Sequence, residues 1–240
     1  MVPRTVPQPP ADAPKASHGS RPSARDRLLA AANELFYAEG VHSVGIDRII
    51  EHAGVAKASL YNTFGSKDGL VRAYLNSRSD RSMDRIARAL TRFRNPRERL
   101  LGIFDAQGEL FTSPDYNGCA FIAASAEAPR GSSVEEASDA YRARLRGLFA
   151  ELAAEIGVAD PQGLARQLHL LYDGATITSR MDRDPTSASV AREAAAILLN
   201  AAPMAPSAPA APDARDTGAA ANVANHAIDD DSRVRPAVGG

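Results

Sequence analysis

The stretch Val41–Leu70, VHSVGIDRIIEHAGVAKASLYNTFGSKDGL, constrains this chain more than any other. Ile46, Ile49 and Ile50 recur at the i, i+3, i+4 spacing of a buried helical face, which predicts a short helix over Ile46–His52. Ala53-Gly54-Val55 follows, and a glycine there supplies the positive φ of a tight turn without steric cost. A second short helix is predicted over Lys57–Phe64, with Leu60 and Phe64 one turn apart and Lys57, Ser59, Asn62 and Thr63 on its polar surface. Two short helices, a glycine turn and a polar second helix read as a helix-turn-helix.

Residues Arg25–Tyr74 resemble the N-terminal DNA-binding domain of the TetR family of bacterial repressors. The resemblance is carried by LLAAANELFYAEG (Leu28–Gly40) and AGVAKASLYNTFGSKDGL (Ala53–Leu70). Within them Gly54-Val55, Leu60-Tyr61, Phe64, Lys67 and Leu70 stand at the family's motif positions. It implies that Lys57–Phe64 is the recognition helix, with Lys57, Ala58 and Ser59 at the end that enters the major groove. A lysine there donates to guanine, an alanine meets the thymine methyl, and a serine bonds a base or a phosphate. Tyr61, Asn62 and Thr63 are then contacts to the backbone at the groove's edge. Lys67, opening the next helix, is a phosphate contact aided by that helix's positive end. The chain departs from the family at Val44-Gly45, where two threonines commonly stand. Gly45 is a weaker N-cap than Thr, Ser43 is expected to take over part of the capping, and Arg48 remains as that helix's phosphate contact.

Composition narrows the classes. At 240 residues the chain holds one or two domains with a sizeable core. No run of about 18 apolar residues is present, so no membrane span is expected. The N-terminus lacks the apolar segment of a secretory signal. A single cysteine, Cys119, excludes an intramolecular disulfide framework and suits a reducing cytoplasm. The net charge of −1 hides the run Arg78–Arg99, where eight arginines face only Asp80, Asp84 and Glu98. That run reads either as part of a DNA-facing field or as a solvated helix face.

In chain order, residues 1–21 are rich in Pro, Ala and Ser without periodicity and read as a disordered arm. A helix from the Ser23 cap carries Leu28, Leu29, Ala32, Leu35 and Phe36 and ends at Gly40. A long helix after Ser66 keeps its period to Asn95-Pro96. An apolar helix over Leu100–Phe111, a loop at Tyr116-Asn117-Gly118 and a small-residue helix over Cys119–Ala128 follow. Ser132 with Glu135 caps a helix reaching Ile156. Asp160-Pro161 and Asp184-Pro185 each read as N-cap and first position of a helix, the last carrying Val190, Ala194, Ile197 and Leu198. The expected fold is all-α: arm 1–21, an N-terminal three-helix helix-turn-helix DNA-binding domain over 22–68, a helical ligand-binding and dimerisation domain over 69–201, and a disordered tail over 202–240.

The resemblance further implies a cytoplasmic repressor acting as a homodimer through its last two long helices. It would bind near-palindromic double-stranded DNA and be released by a small-molecule effector held in the helical body. Candidate pocket residues are Phe104, Tyr116, Cys119, Phe121, Ile122, Tyr141, His169 and Tyr172, a mostly apolar set suited to a hydrophobic, aromatic or lipid-like effector. Cys119, expected at a helix N-terminus where the dipole favours thiolate, offers an alternative: a repressor that senses oxidants or electrophiles. The five histidines are scattered, and no metal spacing, Ser-His-Asp order or Gly-rich phosphate loop stands out. No enzyme, cofactor or metal is therefore expected. A helical adaptor that does not bind DNA would make Lys57, Tyr61 and Lys67 incidental.

Overall fold

The computed structural model describes residues 22–126 and 128–206, and the expected arm and nearly all of the expected tail lie outside them. The described residues fold into nine helices with no strand.

Three helices form the head. α1 (Ala24–Glu39) starts where Ser23 accepts the Asp26 amide at 3.1 Å and stops at Gly40, whose φ of 88° few other residues adopt. α2 (Ile46–Ala53) and α3 (Lys57–Phe64) are the two short helices. Leu28, Ala32, Phe36, Ile49 and Leu60 close into one core, with Val44 fully buried among them. Gly45 caps α2 without a side-chain hydrogen bond, and Ser43 does not take over as expected. Val44 serves as an apolar plug under the head, where a threonine would have to satisfy its hydroxyl.

α4 (Lys67–Leu90) leaves the head from the Ser66 cap and enters the body, its Tyr74 ring meeting Phe36 edge-on at 5.4 Å. It stops at Leu90, short of the expected Asn95. Asn95 must be extended (φ −99°, ψ 151°) because Pro96 opens α5 (Pro96–Phe111). The small-residue helix is shorter than expected: α6 spans Ala120–Ser125. α7 (Ser133–Ile156) and α8 (Pro161–Met181) start at the Ser132 and Asp160 caps, as their signals indicate. The last helix does not begin at Asp184-Pro185. The Asp184 carboxylate accepts the Thr186 amide at 2.8 Å and its hydroxyl at 2.6 Å, a local turn that delays α9 to Ser187–Ala201.

α8 packs between α7 and α9, and α5 packs against α4, α7 and α9. Phe104, Phe149 and Tyr172 form the aromatic centre, with ring centroids 5.7 to 6.3 Å apart. Residues expected to open the tail are tied into the body, since Met204 pairs with Val158 and the Ala205 amide donates to Gly157 O at 2.7 Å. α9 turns its small side inward (Ala188, Ala191, Ala195) and leaves Val190 and Ile197 exposed.

Candidate functional site

The head presents α3 on a stapled turn. Gly54 sits in the left-handed region (φ 59°, ψ 44°), where any L side chain costs about 1–2 kcal/mol. The Gly54 and Val55 amides donate back to Glu51 O and Ile50 O, closing the end of α2. Arg27 of α1 then donates from Nη1 to Ala53 O at 3.2 Å and Gly54 O at 2.8 Å. This staple is invisible in the sequence, because nothing local links Arg27 to a turn 26 residues on.

Of the candidate DNA contacts, Lys57, Ala58, Tyr61, Asn62 and Thr63 are exposed, while Ser59 and Lys67 are half-buried. Thr63 donates its hydroxyl back to Ser59 O at 2.7 Å, which leaves it an acceptor toward solvent. Lys57 meets Asp47 at 2.9 Å, and that carboxylate raises its pKa above the ordinary lysine value. Arg48 pairs with Glu39. Both pairs are exposed and screened by solvent, so a phosphate can displace either carboxylate. Between Pro22 and Leu70 five basic side chains stand against six acidic ones, so placement and not bulk charge must provide the DNA contact.

Two cavities open in the body. The first, about 240 Å³, brings together Tyr116, Cys119, Phe121, Tyr141 and Tyr172 of the candidate pocket residues. Its walls also include Arg78, Arg81, Arg85 and Gln107, none of them among the candidates. The second, about 330 Å³, takes in Cys119 and Ile122 and reaches the head at Phe36, Tyr37 and Val41. Phe104 and His169 line neither: Phe104 belongs to the aromatic centre, and His169 is buried on α8 with Asp173 at 3.6 Å. Burial pushes the His169 pKa down to about 4 against the pull of Asp173, so it is neutral at pH 7. Cys119 does precede α6, and the Ile122 and Phe121 amides favour its thiolate. Burial outweighs them and raises the thiol's pKa, the reverse of what a reactive thiolate needs.

Tyr37 lines both cavities and joins them to the head. Its hydroxyl donates to Gly118 O at 2.9 Å and accepts the Asn117 amide at 2.8 Å, while Asn117 Nδ2 donates to Tyr37 O at 2.9 Å. The Arg78 guanidinium lies over the Tyr37 ring at 3.7 Å. The end of α1 is thus latched to the loop that covers the cavities. No metal-binding cluster occurs among the described residues, and none of their helices is long and apolar enough to cross a membrane.

A helix-turn-helix head on an all-helical body is the architecture of a DNA-binding regulator. Residues 28–74 match the family described as bacterial regulatory proteins, tetR family. A TetR-family transcriptional regulator from Streptomyces coelicolor is 32% identical, with 75% of this chain and 95% of that one covered at a TM-score of 0.69. A TetR transcriptional regulator from Streptomyces avermitilis is 35% identical over 76% of this chain and all of its own, with a TM-score of 0.67. The HTH-type transcriptional activator FasR of Mycolicibacterium smegmatis is 37% identical over 86 residues, 36% of this chain and 39% of that protein. The match therefore spans about two-fifths of that relative's length. The chain belongs to the TetR family of helix-turn-helix transcriptional regulators, a family of regulators and not of enzymes.

Proposed function

We propose that this protein is a cytoplasmic, homodimeric repressor that holds a near-palindromic operator with two copies of α3 and releases it when a small molecule occupies the body cavities. The observation that carries this reading is the exposed polar surface of α3, its leading turn held to α1 by the Arg27 staple, with Lys57, Asn62 and Thr63 exposed on it. Arg48, Lys57 and Lys67 give three phosphate-seeking cations per subunit. One head alone would bind weakly, and two heads on adjacent half-sites multiply their affinities.

The partner surface suggested is the outer side of α8 and α9. Leu170, Ile177 and Met181 recur at i, i+7, i+11 along α8 with exposures of 74%, 44% and 76%. Val190 and Ile197 do the same on α9 at 62% and 68%. Two such stripes meeting their copies make a four-helix interface. Release requires only that the ligand prefer the DNA-incompetent arrangement. The Tyr37 latch offers a route from cavity to head.

Selecting duplexes from a random pool with the purified protein tests this. Enrichment of a short palindrome is expected, with log K falling against log salt at a slope of about −5 for six phosphate contacts per dimer. The Lys57→Glu/Lys67→Glu double variant should bind none of it. A double variant that binds as the parent does would leave the helical adaptor standing.

A further inference from the structure

The 240 Å³ cavity carries a charge pattern that the fold does not require. Arg78, Arg81 and Arg85 stand at i, i+3 and i+7 on α4, a single stripe, and all three line it. Elsewhere in the body Arg72, Arg92, Arg99, Arg142, Arg144 and Arg192 each pair with a carboxylate within 3.2 Å. Among the described residues none of the three cavity arginines has such a partner. Asp115, which also lines it, accepts the Ser113 hydroxyl, and that bond first and the Arg78 charge last help to hold its carboxyl below the ordinary value; Asp115 and Arg78 make no ion pair. Arg78 lies over the Tyr37 ring, and Arg85 donates from Nη2 to Ser82 Oγ at 3.3 Å while its buried Nε has no partner among the described residues.

The same cavity offers the complementary group. Gln107 of α5 is 1% exposed and donates from Nε2 to Tyr172 O at 2.7 Å and to Thr176 Oγ1 at 2.8 Å. Those two bonds fix the amide's orientation and leave Oε1 buried without a donor. A buried acceptor in that state is a place where a ligand N–H or O–H gains the full value of its bond. The Phe121 and Tyr141 rings, which also line it, stack at 4.2 Å with planes 4° apart, an apolar side for the ligand's body.

We propose that this cavity binds a small organic acid. Its carboxylate or phosphate is received by Arg78, Arg81 and Arg85, its ring or short chain lies along Phe121 and Tyr141, and its hydroxyl or N–H donates to Gln107 Oε1. This names the effector class for the repression proposed above and rests on that reading. A cavity of 240 Å³ has the space of about eight waters, which suits one ring and one acid group. An inorganic anion would leave the aromatic wall unfilled, and a neutral molecule would leave the guanidiniums unpaired.

Calorimetry on the full-length protein without DNA tests the class. The probes are 4-hydroxybenzoate, benzoate, 4-hydroxybenzamide, phenyl phosphate and inorganic phosphate. The hydroxy acid should bind more tightly than benzoate, the amide should not bind, and Arg81→Gln should weaken the acid about tenfold or more. Arg81 is exposed and has no ion-pair partner among the described residues, so the variant should melt with the parent and its loss of ligand is not a loss of fold. The relative affinities of phenyl phosphate and benzoate identify which acid group the arginines prefer. Equal binding of acid and amide, unchanged binding by Arg81→Gln, inorganic phosphate matching phenyl phosphate, or no binding by any acid up to about 10 mM would each overturn the proposal. Acids that bind yet leave operator affinity unchanged would uphold the site and overturn the effector reading instead.

Discussion

Replacing Tyr37 by Phe removes one oxygen and keeps the ring beneath Arg78. The oxygen serves two hydrogen bonds, at 2.9 Å to Gly118 O and at 2.8 Å from the Asn117 amide, both half-buried. A hydrogen bond contributes about 1 kcal/mol net, and water can reach part of this loop, so the loss should be about 2 kcal/mol. For a body of this size that corresponds to a melting temperature lower by about 4–8 °C. The loss should also be directional. Amides of 116–119 and the end of α1 should exchange faster with solvent, while the α8–α9 pair keeps its protection. Because these bonds join the cavity loop to the head, the variant should lose up to about 30-fold of any ligand-induced change in operator affinity. Ser125→Ala is the matched control: it loses the bond between the Ser125 and Ser138 hydroxyls at 3.0 Å, which lies within the body at residues that line neither cavity, and should melt lower without uncoupling the head. If Tyr37→Phe melts within a degree of the parent and releases operator as the parent does, the latch carries neither stability nor signal.

Two further perturbations address the pH response and the partner surface. The His169 imidazole has a folded pKa of about 4, below its unfolded value of 6.5, so the unfolded chain takes up the proton first as pH falls. Stability present above about pH 6.5 is then lost between there and pH 4, by at most about 3 kcal/mol, and His169→Leu should flatten that part of the profile in urea titrations. A parent whose dependence matches the variant's would place the histidine in water. Val190→Glu with Ile197→Glu places charges on the exposed stripe of α9, should give monomers by light scattering, and should cut operator affinity at least about 100-fold while leaving the helical content unchanged. A variant that stays dimeric would move the interface elsewhere.

The head was legible because its signals are local. Ile46, Ile49 and Ile50 show their face within five residues, Gly54 marks the turn, and Ser23, Ser66, Ser132 and Asp160 are caps whose partners lie three residues on. Local signals also misled where two compete. Asp184 has the form of an N-cap, yet its carboxylate is taken by Thr186 before the helix can start. The cavity was half legible. Aromatic residues in the middle of the chain are drawn inward whatever the fold, so Phe121, Tyr141 and Tyr172 were found, but the same rule named Phe104, which is core. Arg78, Arg81 and Arg85 were visible as a run of charge. Whether such a stripe meets water, DNA or a cavity depends on the loop carrying Tyr116–Gly118, which no spacing on α4 reveals.

The weak charge of the head makes this regulator sensitive to small movements. Lys57 leaves Asp47 and Arg48 leaves Glu39 at little cost when they meet phosphate, but each head still brings only three such cations. Two heads must therefore engage together, and a change in their separation forfeits one half-site's share of the affinity while the other half-site stays intact. Tyr37 lies at the end of α1, the helix whose Arg27 holds the recognition turn, so a shift of the cavity loop reaches α3 through one rigid element. A strongly basic head would hold DNA through such a shift. On the proposed reading, a head with five basic and six acidic side chains should let go, so that a ligand cavity of modest size would be enough to control it.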